Sequence, residues 1–286
     1  MKPLLLTGLI LFGVSSTTLH AGITFGPVKG KQGEIVRMVS HSEAPGGTIR
    51  MQSKGVDTTG VMLMTRDRDL TWSFQDPGLD GSRRGIARIS KITTSTSIRI
   101  NGQEEKSVDK SLLSGTTLKV TKPPGGNWNF ELHGEGILPL SRVRNELEEL
   151  RVYLKREWFP TREVNVGDTW NFNPAWVQQV IERDLTQTKT TGTMKLRQIN
   201  DGIFGKTAVI DVWIQSAGKK TRADGGESSA DIDLRGQLKV NLKTMLDEQL
   251  DLSGTVISTT KGKGEARTVN LPIRLKVTKS FVKERE

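Results

Sequence analysis

Residues 138–172 read LPLSRVRNELEELRVYLKREWFPTREVNVGDTWNF. This stretch decides the fold, because it holds the one long helical pattern in a chain that otherwise reads as strand. Val143, Leu147, Leu150, Leu154 and Trp158 recur at three- and four-residue spacings and form a single apolar stripe. Arg144, Glu148, Arg151 and Lys155 fall on the other side at ion-pair spacing. Ser141 is the expected N-cap, and Pro160 stops the helix. Each buried side chain of such a stripe contributes about 1.5–3 kcal/mol, so the stripe needs a partner, and a sheet is the expected one. A helix resting on a membrane would carry a basic polar face instead of this mixed one. After Pro160, Val164–Phe172 opens a strand, and Gly167-Asp168 reads as the turn that launches it. It lacks the Gly-rich loop, Lys and following helix of a phosphate-binding turn.

On the N-terminal side the pattern is strand after strand. Glu34–His41 and Thr48–Lys54 read as two strands, followed by Val61–Met64 and the alternating Leu70, Trp72 and Phe74. Residues 76–85 are a turn-rich loop. Ile86, Ile92, Ile98 and Ile100 share one parity and Ile89 falls out of step, which predicts a bulge. Asn101-Gly102 is the strongest hairpin signal in the chain. A second turn, Pro123–Gly126, leads to Trp128, Phe130 and Leu132 on one face.

On the C-terminal side, Asn173-Pro174 and Trp176–Ile181 predict a short helix. Strands are expected over 185–199 and 206–215, with 217–229 as a mobile polar loop. Ile232, Leu234, Leu238, Val240 and Leu242 share one parity, as do Leu250, Leu252 and Val256 after a turn near 245–248. Residues 261–264 form a basic turn. In the last strand Pro272 cannot donate to a ladder, so it marks either an edge strand over 267–278 or a bulge. Trp-x-Phe recurs at Trp72, Trp128 and Trp170, which raises a duplication of the two halves without establishing one.

The N-terminus carries a targeting pattern: Lys2, the apolar run Leu4–Val14, then Ala21 before Gly22. A signal peptide over 1–21 with cleavage after Ala21 is expected, since the run is too short to span about 30 Å of hydrocarbon. The mature chain is then periplasmic or secreted. The sequence has no Cys, which excludes disulfides, thiolate metal sites and a lipoprotein anchor. The net charge of +10 favours anionic envelope polymers or lipid headgroups as partners over nucleic acid. Basic residues are scattered, without the interleaved aromatics of a single-strand nucleic-acid groove.

Catalytic equipment is thin. After signal removal only His41 and His133 remain, and His133 reads as a solvent-facing residue at a strand end. Asp67 with Asp69, and Asp231 with Asp233, could share a strand face and hold a cation or serve as paired acids. The plainer readings are a charged turn at Asp67-Arg68-Asp69 and the polar side of an amphipathic strand at Asp231/Asp233. The six Trp either line a ligand cavity or fill a core, and strand parity favours the core.

At Phe159-Pro160 followed by Val164-x-Val166-Gly167-Asp168-Thr169-Trp170, the chain resembles a loose group of exported bacterial β-rich domains of unknown function with a similar mid-chain FP…VxVGDxW segment. Their layout is similar to that of periplasmic lipoprotein-carrier proteins, where a helix covers the concave face of a curved sheet. The resemblance implies a fold and a compartment. It supplies no catalytic residues, and the carriers' apolar cargo is an analogy of layout only.

The expected fold is mainly β: antiparallel curved sheets or half-barrels in two similar halves (22–137 and 161–286), with one central amphipathic helix over 138–160. The expected function is a non-enzymatic exported binding or carrier module with an apolar or lipid-like ligand and no cofactor, catalytic residue or metal site. One alternative is a structural or interaction domain of the cell envelope, acting through a basic surface or the 267–278 edge. The other is an enzyme built on one of the two acid pairs.

Overall fold

The computed structural model describes residues 22–134, 140–172, 187–203, 205–222, 224–262 and 264–283. The expected signal peptide and the short helix over 173–181 lie outside the described residues. The N-terminal strands are β1 (Ile35–Ser53), β2 (Val56–Phe74), β3 (Arg83–Ile100), β4 (Gln103–Lys110), β5 (Thr116–Lys122) and β6 (Asn129–Leu132). Helix α1 (Leu140–Lys155) follows. The C-terminal strands are β7 (Thr169–Phe172), β8 (Gln187–Gly202), β9 (Gly205–Thr221), β10 (Glu227–Asn241), β11 (Asp247–Gly262) and β12 (Glu265–Val282).

All twelve strands belong to one antiparallel sheet in the order β6-β5-β3-β2-β1-β12-β11-β10-β9-β8-β7, with β4 paired to β3 beside that path. The two halves are therefore continuous rather than separate sheets. Their seam is the long β1–β12 pairing, from Ile35↔Val282 to Ser53↔Glu265. One cross-sheet row shows that a single face is buried: Ile92, Arg68, Ser40, Val277, Leu250, Leu238, Ile210 and Leu196 are successive partners. All of them but Leu250 are buried, and Leu250 packs on both core clusters.

This order explains the helix. β6 and β7 are neighbours in sequence but lie at opposite edges of the sheet. Strand spacing puts those edges roughly 48 Å apart along the sheet surface, and a 16-residue helix covers about 24 Å of that. The crossover runs over the buried face. Val143, Leu147 and Leu150, with Leu154 partly buried, pack on the N-terminal core beside Ile89, Leu113 and Leu118. Trp158, expected to complete the stripe, lies beyond the helix end and belongs to the C-terminal core with Val164, Trp170 and Phe172. The helix ends because Arg156 takes a left-handed conformation (φ 52°). At its start, the helix begins at Leu140, one residue before Ser141.

The mid-chain turn forms as its sequence implies. Gly167 has φ 97°, and its N–H donates to the Leu196 carbonyl at 2.7 Å. The Asp168 carboxylate accepts from the Asn165 N–H at 2.9 Å, and this bond, helped by Arg162, holds it below the ordinary carboxylate range. Trp170 Nε1 then donates to the Trp158 carbonyl at 3.0 Å inside the core. Trp170→Phe removes that donor and part of the packing. It is expected to cost about 1–3 kcal/mol, read as a lower urea midpoint with unchanged far-UV circular dichroism.

Several expectations hold in detail. Asn101 and Gly102 both have positive φ between Ile100 and Gln103, as a type I′ turn requires. The β2–β3 register shifts where Ile89 falls out of step. Others are corrected. The two strands expected over 34–54 are one strand, interrupted between Glu43 and Thr48. The 217–229 segment is mostly strand, since β9 runs to Thr221 and β10 starts at Glu227; small and β-branched residues let this polar hairpin extend well past the core. The 267–278 strand is not an edge, because β12 is paired on both sides. Pro272 lies opposite the β1 interruption, where four residues of β1 face three of β12, so the bulge reading is the correct one.

Candidate functional site

The two cores differ in how well they are filled. In the C-terminal half, the space beneath Trp158, Phe172, Leu238 and Leu252 amounts to about 30 Å³, room for one water. In the N-terminal half, a cavity of about 680 Å³, open to solvent on one side, lies between α1 and the sheet. That volume falls within the range of about 300–1,000 Å³ typical of small-molecule sites.

Three layers build the cavity. Its sheet wall is Val36, Met38, Leu70, Trp72, Phe74 and Ala87, which alternate inward on neighbouring strands. Its roof is Leu150 and Leu154 of α1. Its far side is the segment before β1, through Phe25, Pro27 and Val28. That segment is strapped in place: Ile23 pairs with Val164, the Gly26 carbonyl accepts from Arg156 Nη1 at 2.8 Å, and the Lys29 N–H donates to the Thr244 carbonyl at 2.8 Å. Phe25 stacks on Phe159 at 4.4 Å, and Trp72 meets Trp128 edge-on at 5.5 Å. At the rim are Gln32, Gln75, Asp76, Arg83, Arg84 and Lys122.

The seam end of the cavity is charged. Arg156, Asp247 and Lys279 all line it, with side chains only 8%, 7% and 9% exposed. Arg156 follows α1, Asp247 opens β11 and Lys279 lies on β12 beside Met38, so the cluster sits where the two cores meet. Lys279 Nζ donates to Asp247 Oδ2, and Arg156 Nε stands 3.6 Å from Asp247 Oδ1. The guanidinium also lies over the Phe159 ring at 4.7 Å. Burial pushes Arg156 below the ordinary guanidinium range, and the Asp247 charge pulls it back up.

The residues weighed for chemistry on sequence grounds are elsewhere. Asp67-Arg68-Asp69 is not a turn but the middle of β2. Arg68 points inward and is buried, leaving the two acids on the outer face. Each has its own partners: Asp67 takes His41 Nδ1 at 2.7 Å and Lys91 Nζ at 2.9 Å, and Asp69 takes Arg37 at 2.6 Å. His41, and after it Lys91, hold Asp67 below the ordinary carboxylate range. Asp231 and Asp233 lie on the outer side of β10, with Arg235 Nε 3.4 Å from Asp233. His133 is exposed just after β6. None of these six lines the cavity. Among the described residues no group of three or more His, Asp or Glu is arranged to hold a metal, and no helix is long and apolar enough to cross a membrane.

Sequence reasoning missed Arg156, Asp247 and Lys279. Arg156 is hidden in the charged run Lys155-Arg156-Glu157 as one more polar residue of the helical register. Asp247 sits in a segment read only as a turn, and Lys279 lies just past the expected 267–278 strand, although it continues the parity of the buried Val277.

No protein-family model and no curated protein matches the chain. Among solved structures it is similar to a β-barrel-like protein of the domain of unknown function DUF1849 from Brucella abortus, at 10% identity and TM-score 0.18, covering 88% of this chain and 99% of that one. It is also similar to MucB in complex with MucA(peri), at 10% identity and TM-score 0.10, covering 82% and 88%. A third is a protein assigned as AttH from Nitrosomonas europaea, at 9% identity and TM-score 0.11, covering 91% and 99%. Each match spans most of both chains, and nothing of the neighbours' function is transferred at these scores.

Proposed function

We propose that this chain is a non-enzymatic, exported binding or carrier module whose apolar or lipid-like ligand occupies the cavity under α1. The observation that carries this reading is the contrast between a C-terminal core with about 30 Å³ free and an N-terminal core with about 680 Å³. Well-packed interiors leave few voids larger than a water. A cavity of this size, with aromatic walls, a helical roof and a polar rim, has the make-up of a ligand site. The N-terminal pattern ending at Ala21 supports export. The outer-face position of both acid pairs supports a non-catalytic role. The envelope-interaction reading loses its edge strand, since β12 is interior.

The test uses an uncharged fluorescent probe such as Nile red. Ala87 lies on the cavity wall between Trp72 and Leu118. Ala87→Trp should fill the space and weaken probe binding by about tenfold or more, with the strand content unchanged. Mass spectrometry of the protein purified from its native envelope should find a co-extracted apolar molecule. Unchanged probe affinity in the variant, together with no extracted ligand, would sink the carrier reading.

A further inference from the structure

The seam end of the cavity is built of buried charge. Arg156 and Lys279 face one carboxylate, Asp247, and all three side chains are over nine-tenths buried. The other acids on the cavity lining, Asp76 and Glu157, are exposed, and Asp76 accepts from Gln32 Nε2 at 2.6 Å. Within the guanidinium, Nη1 is taken by the Gly26 carbonyl, while Nε and Nη2 are buried without a hydrogen-bond partner among the described residues. Trp128 Nε1, on the same lining, is likewise buried and unpartnered. Unmade donors of this kind are costly, above all on a charged group.

We propose that the ligand is an anionic amphiphile, with a carboxylate or phosphate-monoester head accepting from Arg156 at the seam and an apolar chain lying along Trp72, Trp128 and Leu150. This rests on the carrier reading and specifies its ligand class. The head accepts from Arg156 Nη2, which is buried without a hydrogen-bond partner among the described residues, on a planar guanidinium suited to both oxyanions. The chain removes apolar surface from water in the open part of the cavity. Arg83, Arg84 and Lys122 at the rim draw the anion toward the mouth.

The experiment compares four dodecyl compounds below their micelle concentrations: dodecanoate, dodecyl phosphate, dodecanol and dodecyltrimethylammonium. Binding is read by calorimetry and by the fluorescence of Trp72 and Trp128. In the unmodified protein the two anions should bind about tenfold or more tighter than dodecanol, and the ammonium most weakly. The tighter of the two anions identifies the head. Arg156→Met leaves Asp247 and Lys279 as a neutral pair. It should bring both anions to the affinity that the same variant shows for dodecanol. Arg156→Lys, which keeps the charge without the fork, should retain part of the preference. Equal binding of dodecanol and dodecanoate by the unmodified protein overturns this inference and leaves the carrier reading standing. Inorganic phosphate binding as tightly as dodecyl phosphate overturns the amphiphile and leaves a plain anion site. No binding of any dodecyl compound overturns the carrier reading itself. The unmodified protein alone decides these outcomes, whether or not a variant folds.

Discussion

Asp247→Leu is expected to destabilise the folded protein by about 3–5 kcal/mol, the cost of breaking a buried ion group from one side. The Asp247 carboxylate contacts both Arg156 and Lys279. Removing it leaves two cations between two apolar cores. Neither can retreat easily: Arg156 is tied to the Gly26 carbonyl and Phe159, and Lys279 sits in a strand paired on both sides. Urea unfolding should show a lower midpoint with an unchanged slope if the native state stays compact. An apolar replacement of all three residues, Arg156→Met with Asp247→Leu and Lys279→Met, should recover most of the loss or exceed the original stability. The pair of results separates two readings of the cluster. If it existed for stability, the triple variant would be as weak as the single one. If it is kept for a ligand, the triple variant is stable and has lost its preference for anions. An Asp247→Leu protein as stable as the original would mean that water already solvates the cluster.

That cluster also marks where sequence reasoning stops. Local rules gave the strands, the Asn101-Gly102 hairpin, the Ile89 irregularity and the Gly167-Asp168 turn, because each depends on residues a few positions apart. The apolar stripe of α1 likewise announced that the helix is buried. The continuity of the sheet was not legible, since it rests on β1 pairing with β12 from the other end of the chain. The inward face of β2 was misread at Arg68, because a buried arginine between two aspartates looks like a solvated turn until the sheet supplies its parity. Trp158 was placed on the helix for a similar reason: the four-residue spacing continues past Arg156, while the backbone does not. The cavity itself has no sequence signal. It arises from three distant segments, and only their packing shows that one core is full and the other is not.

Pro272 tests the seam most directly. A proline inside a central strand removes a ladder hydrogen bond and is ordinarily excluded. Here it is tolerated because Ala44–Gly47 of β1 bulges opposite it, with Gly46 at φ 73° and Gly47 packed against the Met62 and Asn270 carbonyls. Moving the same residue type to a regular rung should have a much larger effect. Thr278 is exposed, so its side chain contributes little, but its backbone pairs with Val39 on one side and Gln249 on the other. Thr278→Pro is expected to cost about 3 kcal/mol or more, whereas Pro272→Val should stay within about 1 kcal/mol. The larger loss should have a distinctive form. Among the described residues the halves pair through β1–β12 and, beside it, the single Ile23–Val164 bridge, so weakening β1–β12 should loosen their coupling as well as destabilise them. Hydrogen exchange should show β1 and β12 amides losing protection first, ahead of the interior strands β9 and β10. Equal stability of the two variants would mean that the seam contributes little and that α1 alone holds the halves together.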